Sequence, residues 1–195
     1  MYTKLLDTIT HNQLPPTTLD FYQFERLIGK GAFGKVTLAT HKLTGKQVAI
    51  KTIEKDAIKD EFSRKKVFQE IYILKKIRHE NVIRLLEVFE GPKYILIVME
   101  YVSAGDLLQK VKKEGRFPET RAKIIFKQIV YGLAHIHSRH VLHRDIKLDN
   151  ILIDNDNGIK ICDFGVSKII NRTQNIREEC GTPAYIAPEV ISEEV

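Results

Sequence analysis

A glycine-rich string near the start of the chain restricts its fold more than any other sequence feature. Gly29, Gly31 and Gly34 form a GxGxxG pattern, and the residues that follow, VTLATH, alternate apolar and polar side chains as a β-strand does. In dinucleotide-binding folds such glycines instead open a helix that holds a pyrophosphate. The alternation therefore favours a glycine-rich hairpin folded over phosphates. For this motif alone, a hairpin turn without a ligand stays open.

The pattern around this hairpin predicts a first lobe of five strands and one helix over residues 21–102. Three strand-like runs follow VTLATH, which are QVAIKTI, VIRLLEVF and KYILIVMEY. Between the first and second of these runs, apolar residues at helical spacing predict a helix over residues 62–78 that ends before Asn81. Residues 1–20 include two adjacent prolines and show no sustained period, so we expect a flexible N-terminal extension there.

Residues 103–195 predict a second, mainly helical lobe. Pro118 and Glu119 open a long amphipathic helix. The apolar face of this helix carries Ile125, Ile129, Leu133 and Ile136. Short strand-like pieces alternate with polar loops at residues 141–142, 151–153 and 159–162.

Composition and charge argue against several classes of protein. The chain has a formal net charge of +6, but acidic residues are interspersed and no long Lys/Arg block occurs, so we expect no nucleic-acid partner. The longest strongly apolar run, residues 94–99, is too short for membrane insertion, and the N-terminus is too polar for a signal peptide. We expect a cytoplasmic protein, with a nuclear location as the alternative. Cys162 and Cys180 lack metal-ligand spacing, and we expect reduced thiols.

The run Val48-Ala49-Ile50-Lys51 places a lysine inside an otherwise apolar strand. An unpaired ammonium group there is costly to desolvate, so Lys51 requires anionic partners. Glu70, on the predicted helix, can supply one, and phosphate oxygens under the glycine-rich hairpin can supply others. For this residue alone, a lysine on the solvated side of an edge strand is the alternative.

The run HRDIKLDN places acidic, basic and amide groups within eight residues. Asp145 can accept a proton from an attacking hydroxyl, Lys147 can hold negative charge that develops on a phosphate, and Asn150 offers an oxygen to a hard cation. Asp163, in the DFG triplet after a short strand, is placed to hold Mg²⁺. A polar surface loop would explain any two of these residues in HRDIKLDN but not all of them.

Together these motifs resemble the signature set of the eukaryotic protein kinases. GKGAFGKV, VAIK, a helix glutamate, HRDIKLDN, DFG and APE occur in the family's order from about Phe21 to the last residue. Lys147, two residues after Asp145, is similar to the serine/threonine kinases and unlike the tyrosine kinases. The runs IVMEYVSAGDL and CGTPAYIAPEV resemble the calmodulin-dependent and energy-sensing kinase group.

The resemblance implies an α+β, two-lobed protein kinase fold, in which a five-stranded antiparallel N-lobe with one main helix precedes an incomplete, mainly helical C-lobe. It implies a protein serine/threonine kinase that uses ATP and Mg²⁺ and phosphorylates protein hydroxyls. The implied catalytic residues are Lys51, Glu70, Asp145 and Lys147. The implied magnesium ligands are Asn150 and Asp163. The implied nucleotide contacts are Gly29, Lys30, Gly31, Ala32, Phe33, Gly34, Val36, Ala49, Lys51, Met99, Glu100, Val102, Asp106, Leu152 and Asp163.

For the adenine pocket, the resemblance implies a gatekeeper at Met99 and a hinge at Glu100 and Val102 whose backbone binds adenine. It implies that Asp106 contacts ribose. The residues that would sandwich the adenine ring are Val36, Ala49 and Leu152.

Other side chains resemble parts of the family's core. Leu74, Leu85, His143 and Phe164 resemble the stacked apolar column that links the lobes in the active state, although ordinary core packing explains Leu74 and Leu85 equally well. Cys162 precedes Asp163, and it is either a reactive thiol at the nucleotide pocket or, as we favour, a small buried residue.

Substrate choice and control are also implied by the resemblance. Asp106 and Asp149 match acids that attract arginine upstream of the acceptor residue, so we expect basic peptide substrates. Glu178 stands where related kinases carry an activating phosphothreonine, and its carboxylate would neutralise Arg144 without an upstream kinase. A solvated Glu178 on a mobile loop is the alternative, and Thr173 and Thr182 stay candidates for modification.

The family domain normally continues past APE with further helices, whereas only residues 190–195 follow that motif here. We therefore expect an incomplete domain in which the helix after Pro118 lacks neighbours on part of its apolar surface. For the chain by itself we expect weak or absent catalysis and a tendency to aggregate. A nucleotide-binding or regulatory fragment without turnover is the alternative function. The intact motif set argues against an unfolded remnant.

Overall fold

The computed structural model describes residues 18–31, 34–170 and 180–191, and its first lobe is a five-stranded sheet with one long helix. The strands are β1 (Tyr22–Gly31), β2 (Gly34–His41), β3 (Gln47–Glu54), β4 (Leu85–Glu90) and β5 (Tyr94–Glu100), and the helix is α1 (Glu61–Lys76). All pairs of neighbouring strands are antiparallel, and their spatial order is β1-β2-β3-β5-β4. This arrangement confirms the predicted architecture of the N-lobe.

Strand β3 lies in the middle of the sheet and is apolar along most of its length. Val48, Ala49, Ile50 and Ile53 are buried, as expected for a strand that is covered on both faces. Lys51 shares this environment, because it pairs in register with β2 on one side and with β5 on the other. Its central position excludes the alternative of a lysine on a solvated edge strand.

Helix α1 begins where a side chain caps it. The Asp60 carboxylate accepts a hydrogen bond of 2.7 Å from the Ser63 backbone N–H, which satisfies one of the unpaired donors of the first turn. Val67, Ile71 and Leu74 recur once per turn and are buried. The predicted range of 62–78 overshoots the end of the helix by two residues, because Ile77 already has extended backbone angles.

The segment between α1 and β4 joins the two lobes. The sequence predicts that the fourth strand begins at Val82, but β4 begins at Leu85. Val82 instead forms a parallel bridge with Ile161 of the second lobe, and the Ile83 N–H donates a hydrogen bond of 2.9 Å to the Ile161 carbonyl. The predicted start is wrong because the second lobe, and not β5, pairs with these apolar residues.

The described part of the second lobe consists of helices and short strand pairs. The helices are α2 (Leu107–Glu114), α3 (Glu119–Ser138) and α4 (Pro188–Ile191), and the strands are β6 (Val141–Leu142), β7 (Ile151–Ile153), β8 (Ile159–Ile161) and β9 (Lys168–Ile169). β6 pairs with β9 and β7 pairs with β8, both antiparallel. The positions of α3, β6, β7 and β8 agree with the predicted elements, whereas α2 and β9 were not predicted. The predicted lobe boundary at residue 102 stays a prediction.

One hydrophobic core extends through both lobes. Leu74 of α1 belongs to the same cluster of buried residues as Ile136 of α3 and Ile161 of β8. Gly132 lets α3 lie close to this junction, because an added Cβ would be 2.8 Å from the Ile161 side chain and 2.9 Å from the Asn81 carbonyl. The lobes therefore pack directly on each other behind the cleft.

Helix α3 carries apolar residues both on its core-facing side and on its exposed surface. On the predicted face, Ile125 and Ile136 are buried, and Ile129 and Leu133 pack partly buried against the core. Outside this face, in the described part of the chain, the helix exposes Ile124, Phe126, Val130 and Tyr131. None of the described helices is both long and apolar enough to cross a membrane.

Two histidines stack where the lobes meet. The rings of His79 and His135 lie 4.9 Å apart at 28°, and the His79 Nδ1 accepts a hydrogen bond from the Asn81 N–H. The His135 Nε2 atom is buried and has no hydrogen-bond partner in the described part of the chain. Desolvation, followed by the charges of His79 and Arg139, lowers the pKa of His135 below its usual value.

We predict that the stability of the fold decreases as the pH falls from about 7 toward 5, partly through His135. Because its pKa is lower in the folded state, the unfolded chain binds more protons below about pH 6.5, which favours unfolding as acid is added. The variant His135→Phe keeps a stacking ring without a titrating group. Thermal melts at several pH values should show a smaller loss of Tm toward acid for His135→Phe than for the unmodified chain. His137→Phe, an exposed position on the same helix, is the control, and equal slopes for all three proteins would contradict the prediction.

Candidate active site

A cleft of about 810 Å³ lies between the two lobes, which is within the usual size for a small-molecule site. It is lined by residues of the glycine-rich hairpin, β3, α1, the end of β5, and the turn that contains Asp163. The predicted nucleotide and metal residues that line it are Gly29, Lys30, Gly31, Val36, Ala49, Lys51, Met99, Glu100, Val102, Asp106, Asn150, Leu152 and Asp163. The structure therefore brings together residues that are more than 130 positions apart in sequence.

Among the described residues, one predicted nucleotide contact, Gly34, is not part of this lining. Ala32 and Phe33 lie outside the described residues. Gly34 is the first residue of β2, where an added Cβ would collide with the Thr52 carbonyl oxygen. The described structure thus explains Gly34 by the close approach of β2 to β3, which requires a residue without a side chain.

Lys51 and Glu70 form a buried ion pair at the back of the cleft. The Lys51 Nζ donates to the Glu70 Oε1 at 2.6 Å, and the two residues are 8% and 4% exposed. Removal of one partner from such a pair typically costs about 3–5 kcal/mol, because the other charge stays buried alone. The pair therefore ties α1 to the centre of the sheet, with the ammonium group at the wall of the cleft.

The hinge residue Glu100 connects the lobes through its side chain as well as its backbone. Its carboxylate accepts a hydrogen bond of 2.7 Å from the Arg84 N–H. It also forms an ion pair of 3.0 Å with the Lys160 Nζ on β8. Its N–H donates to the Arg84 carbonyl at 3.0 Å. These contacts fix the end of β5 relative to the second lobe, and both side-chain contacts use the Glu100 Oε1 atom.

The Asp145 carboxylate is held by four hydrogen-bond donors. One oxygen accepts bonds from the Thr182 N–H at 3.0 Å and the Thr182 hydroxyl at 2.7 Å. The other accepts bonds from the Asn150 amide at 2.9 Å and the Lys147 ammonium at 2.9 Å. Burial acts to raise the pKa of Asp145, but the bonds from Thr182, Lys147 and Asn150 outweigh it and hold the pKa below its usual value. Asp145 is therefore ionised and fixed in orientation at neutral pH.

Thr182 is a residue of this site that the sequence analysis did not place there. Its hydroxyl donates to Asp145 and accepts a bond of 2.6 Å from the Lys147 Nζ. The only signal was its place in GTPAYIAPE, where we considered it as a modification candidate. Its distance of 37 residues from Asp145 hides this contact from any local pattern. Modification of Thr182 stays a prediction.

Asp163 and Asn150 can hold Mg²⁺ only in combination with a phosphate ligand. Asp163 is exposed in the cleft and has a left-handed backbone conformation with φ of 64°. The amide nitrogen of Asn150 donates to the Asp145 carbonyl at 2.8 Å, so its oxygen is the atom available to a cation. Among the described residues, no group of three or more His, Cys, Asp or Glu side chains could hold a metal. One carboxylate and one amide fit Mg²⁺, which usually takes few protein ligands beside substrate phosphates and water.

The side chain of Phe164 joins the core that lies under the cleft. Phe164 is 1% exposed and belongs to the same buried cluster as Leu74, with Leu85 packed against it. The His143 ring lies 4.9 Å from the Phe164 ring, and its Nε2 is 3.0 Å from the Cys162 carbonyl. Burial lowers the pKa of His143, which keeps the ring neutral. Leu74, Leu85 and Phe164 therefore share one hydrophobic core, with the His143 ring against Phe164, and their stacking as one column stays a prediction.

The two acids expected to attract basic peptides have different surroundings. Asp106 caps α2, where its carboxylate accepts bonds from the Gln109 N–H at 2.8 Å and the Gln109 side chain at 2.6 Å. Asp149 is exposed at the rim of the cleft. Glu178 and Thr173 lie outside the described residues, as does the side chain of Glu189. The expected contact between Glu178 and Arg144 therefore stays a prediction.

Comparison with known proteins identifies the family. The protein kinase domain family model matches residues 22–195, and the chain belongs to this family. A serine/threonine-protein kinase SIK3 homolog from Danio rerio is 43% identical over 176 residues, which cover 90% of this chain and 15% of that protein. The SNF1-related protein kinase catalytic subunit alpha KIN12 from Arabidopsis thaliana is 41% identical over 171 residues, covering 88% and 35%. A probable myosin light chain kinase from Dictyostelium discoideum is 41% identical over 176 residues, covering 88% and 45%.

These relatives confirm the predicted serine/threonine type and the resemblance to the calmodulin-dependent and energy-sensing group. The chain spans less than half the length of each of them, from 15% to 45%. The activity, substrates and partners of the whole protein are therefore a matter for proposal.

The reactivity of the Cys162 thiol provides a chemical test of how strongly its surroundings in the cleft disfavour the thiolate. Its thiol donates to the Asn150 carbonyl at 3.4 Å, and burial, with the charges of Asp163 and Asp106, raises its pKa to about 12. Because the thiolate is the reactive form, we predict that iodoacetamide at pH 7.5 alkylates Cys162 at least about tenfold more slowly than a free thiol. Mass spectrometry of a Cys180→Ser variant would give the rate, with glutathione as the reference. A rate equal to that of glutathione would show that the thiol is activated, contrary to its surroundings here.

Proposed function

We propose that this chain transfers the γ-phosphoryl group of ATP to serine or threonine hydroxyls of protein substrates. The observation that carries the proposal is the convergence of the Lys51–Glu70 ion pair, Asp163 and the glycine-rich hairpin on one cleft. Phosphoryl transfer requires groups that bind and orient a nucleoside triphosphate. A cation, a carboxylate that can bind Mg²⁺ and a glycine-rich hairpin are such groups. The family and the serine/threonine kinases among its relatives support the same reaction.

The apolar part of the cleft would bind the adenine ring. Val36 and Ala49 line it from the first lobe and Leu152 from the second, with Met99 beside them. The hinge backbone at Glu100 and Val102 would supply the polar contacts. Asp106 would contact the ribose. The phosphates would be held by the remaining predicted contacts, which are Gly29, Lys30, Gly31, Ala32, Phe33 and Gly34.

Lys51 would bind the α- and β-phosphates, oriented by Glu70. Asp163 and Asn150 would hold Mg²⁺, which when bound neutralises charge on the phosphates. With the nucleotide fixed in this way, residues 143–150, which we call the catalytic loop, would act on the acceptor hydroxyl.

Asp145 would position the acceptor hydroxyl and accept its proton. A carboxylate has about four acceptor sites, and Thr182, Lys147 and Asn150 already occupy four in this structure. The hydroxyl must therefore replace one donor. Lys147 has the longest and most flexible side chain of the three, and we propose that it leaves Asp145 to hold charge on the transferring phosphoryl group.

Substrates with basic residues upstream of the acceptor form the finer part of the proposal. Asp149 supports it best, because it is exposed at the rim of the cleft. Asp106 supports it less, since two bonds from Gln109 already engage its carboxylate.

We predict that Lys51→Met and Asp145→Asn each lower the rate of peptide phosphorylation by at least about a hundredfold, because each removes a transition-state interaction of roughly 3 kcal/mol. Transfer of ³²P from labelled ATP to a basic serine peptide would measure the rate. The controls are Lys46→Met and Asp156→Asn, which make the same exchanges at exposed turn positions. Turnover close to the control rate in either active-site variant would refute the assigned roles. Binding of Mg²⁺ and ATP without transfer in the unmodified chain would favour the alternative, a nucleotide-binding fragment without turnover.

We predict that Thr182→Val lowers the rate about five- to thirtyfold, because Asp145 loses a charge-assisted hydrogen bond worth about 1–2 kcal/mol. Thr182→Ser keeps the hydroxyl and should retain most of the activity. Steady-state kinetics should place the loss in kcat, since Thr182 does not line the nucleotide cleft. Full activity in Thr182→Val with a loss confined to Thr182→Ser would show that the methyl group, and not the hydroxyl, matters.

A further inference from the structure

A hydrogen bond connects α1 directly to the segment that follows Asp163. The Gln69 side-chain nitrogen donates to the Ser167 carbonyl at 2.7 Å, across 98 residues of sequence. Gln69 is half-buried and immediately precedes Glu70, the partner of Lys51. The same turn of α1 thus contacts the sheet through Glu70 and the second lobe through Gln69.

Ser167 extends this connection to the catalytic loop. It is 4% exposed, its hydroxyl donates to the His143 carbonyl at 3.0 Å, and its N–H donates to the Phe164 carbonyl at 3.0 Å. Buried polar groups that are fully bonded restrict their neighbours to one arrangement. Ser167 therefore holds α1, the turn after Asp163 and the catalytic loop in a fixed relation.

Two adjacent contacts also fix the rotation of α1. Successive residues of an α-helix point about 100° apart around its axis, so Glu70 and Gln69 hold the helix in two different directions. The outer side of α1 exposes Phe68 and Tyr72, so apolar contacts restrain the helix through its buried side, which includes Ile73 near the direction of Gln69. Without the Gln69 bond, α1 could turn about the Glu70 contact and carry the carboxylate away from Lys51.

We propose that Gln69 is a positioning residue for phosphoryl transfer, because its bond to Ser167 keeps the Lys51–Glu70 pair aligned with Asp163 and the catalytic loop. This inference rests on the proposed function. It assigns Gln69 no contact with ATP or with the acceptor hydroxyl. Gln69 acts through Glu70, so the effect of a Gln69 substitution should depend on whether Glu70 is present.

The test compares Gln69→Met, which has similar length but no donor, with Gln69→Lys, which keeps a donor. Each is made in the unmodified chain and in a Glu70→Gln background, with the exposed Lys75→Met on the same helix as control. The readouts are kcat and KM for ATP with a basic serine peptide, and backbone hydrogen exchange over residues 64–74 and 163–168.

We expect Gln69→Met to lower kcat about five- to tenfold, the loss expected for one hydrogen bond, and to speed hydrogen exchange in both segments. Gln69→Lys should restore most of kcat, and Lys75→Met should leave it unchanged. In the Glu70→Gln background, Gln69→Met should lower kcat by a further factor of less than about two, because the two residues act as one unit. If Gln69→Met acts only through stability, its fold loss of kcat should be the same in both backgrounds, and that result would overturn the proposal. An unchanged kcat in Gln69→Met would also overturn it.

Failure of the proposed function is a separate result. If the unmodified chain transfers no phosphoryl group, the alternative of a nucleotide-binding fragment without turnover is favoured, and hydrogen exchange alone decides the role of Gln69. Faster exchange in both segments of Gln69→Met would then support the coupling of α1 to the Asp163 segment. Exchange rates equal to those of Lys75→Met would overturn it.

Discussion

The buried ion pair between Lys51 and Glu70 is the interaction on which the rest of the site depends. An ammonium group in the middle strand of a sheet is stable only with an anion beside it, and the carboxylate comes from a helix that no strand pairing holds in place. The helix must therefore be positioned by side chains at a single rotation. This requirement links the apolar face of α1, the Gln69–Ser167 bond and the catalytic loop to one charge in β3.

The two lobes are joined by direct contacts behind the cleft, and the cleft separates them in front. Val82 and Ile83 pair with Ile161, and Gly132 allows α3 to contact the same segment. The Glu100 carboxylate adds an ion pair to Lys160 at the hinge. Because the backbone of the first lobe is bonded to the second at these points, the walls of the cleft can present groups from both lobes in a defined arrangement.

Much of the fold and site could be predicted from the sequence, and the exceptions share a cause. The strands, α1 and α3 follow from local periodicity, and Lys51 could be expected to need a carboxylate because its own strand is apolar. The start of β4 was wrong, α2 was missed, and Thr182 was not assigned to the site. Each of these depends on a segment distant in sequence. Ile161 pairs with the residues before β4, Leu152 of β7 forms a bridge with Asp106 at the start of α2, and Asp145 engages Thr182.

The sequence by itself determined which chemistry the chain can carry, because residue types and their order define the donors, acceptors and charges. It placed Lys51, Asp145, Asn150 and Asp163 in motifs whose chemistry can be deduced without coordinates. Only the tertiary structure decided which of these groups meet, how many donors Asp145 already has, and that burial raises the pKa of the Cys162 thiol. The reason is physical: hydrogen bonds and desolvation depend on distances of a few ångströms between segments up to about a hundred residues apart, and no local pattern encodes those distances.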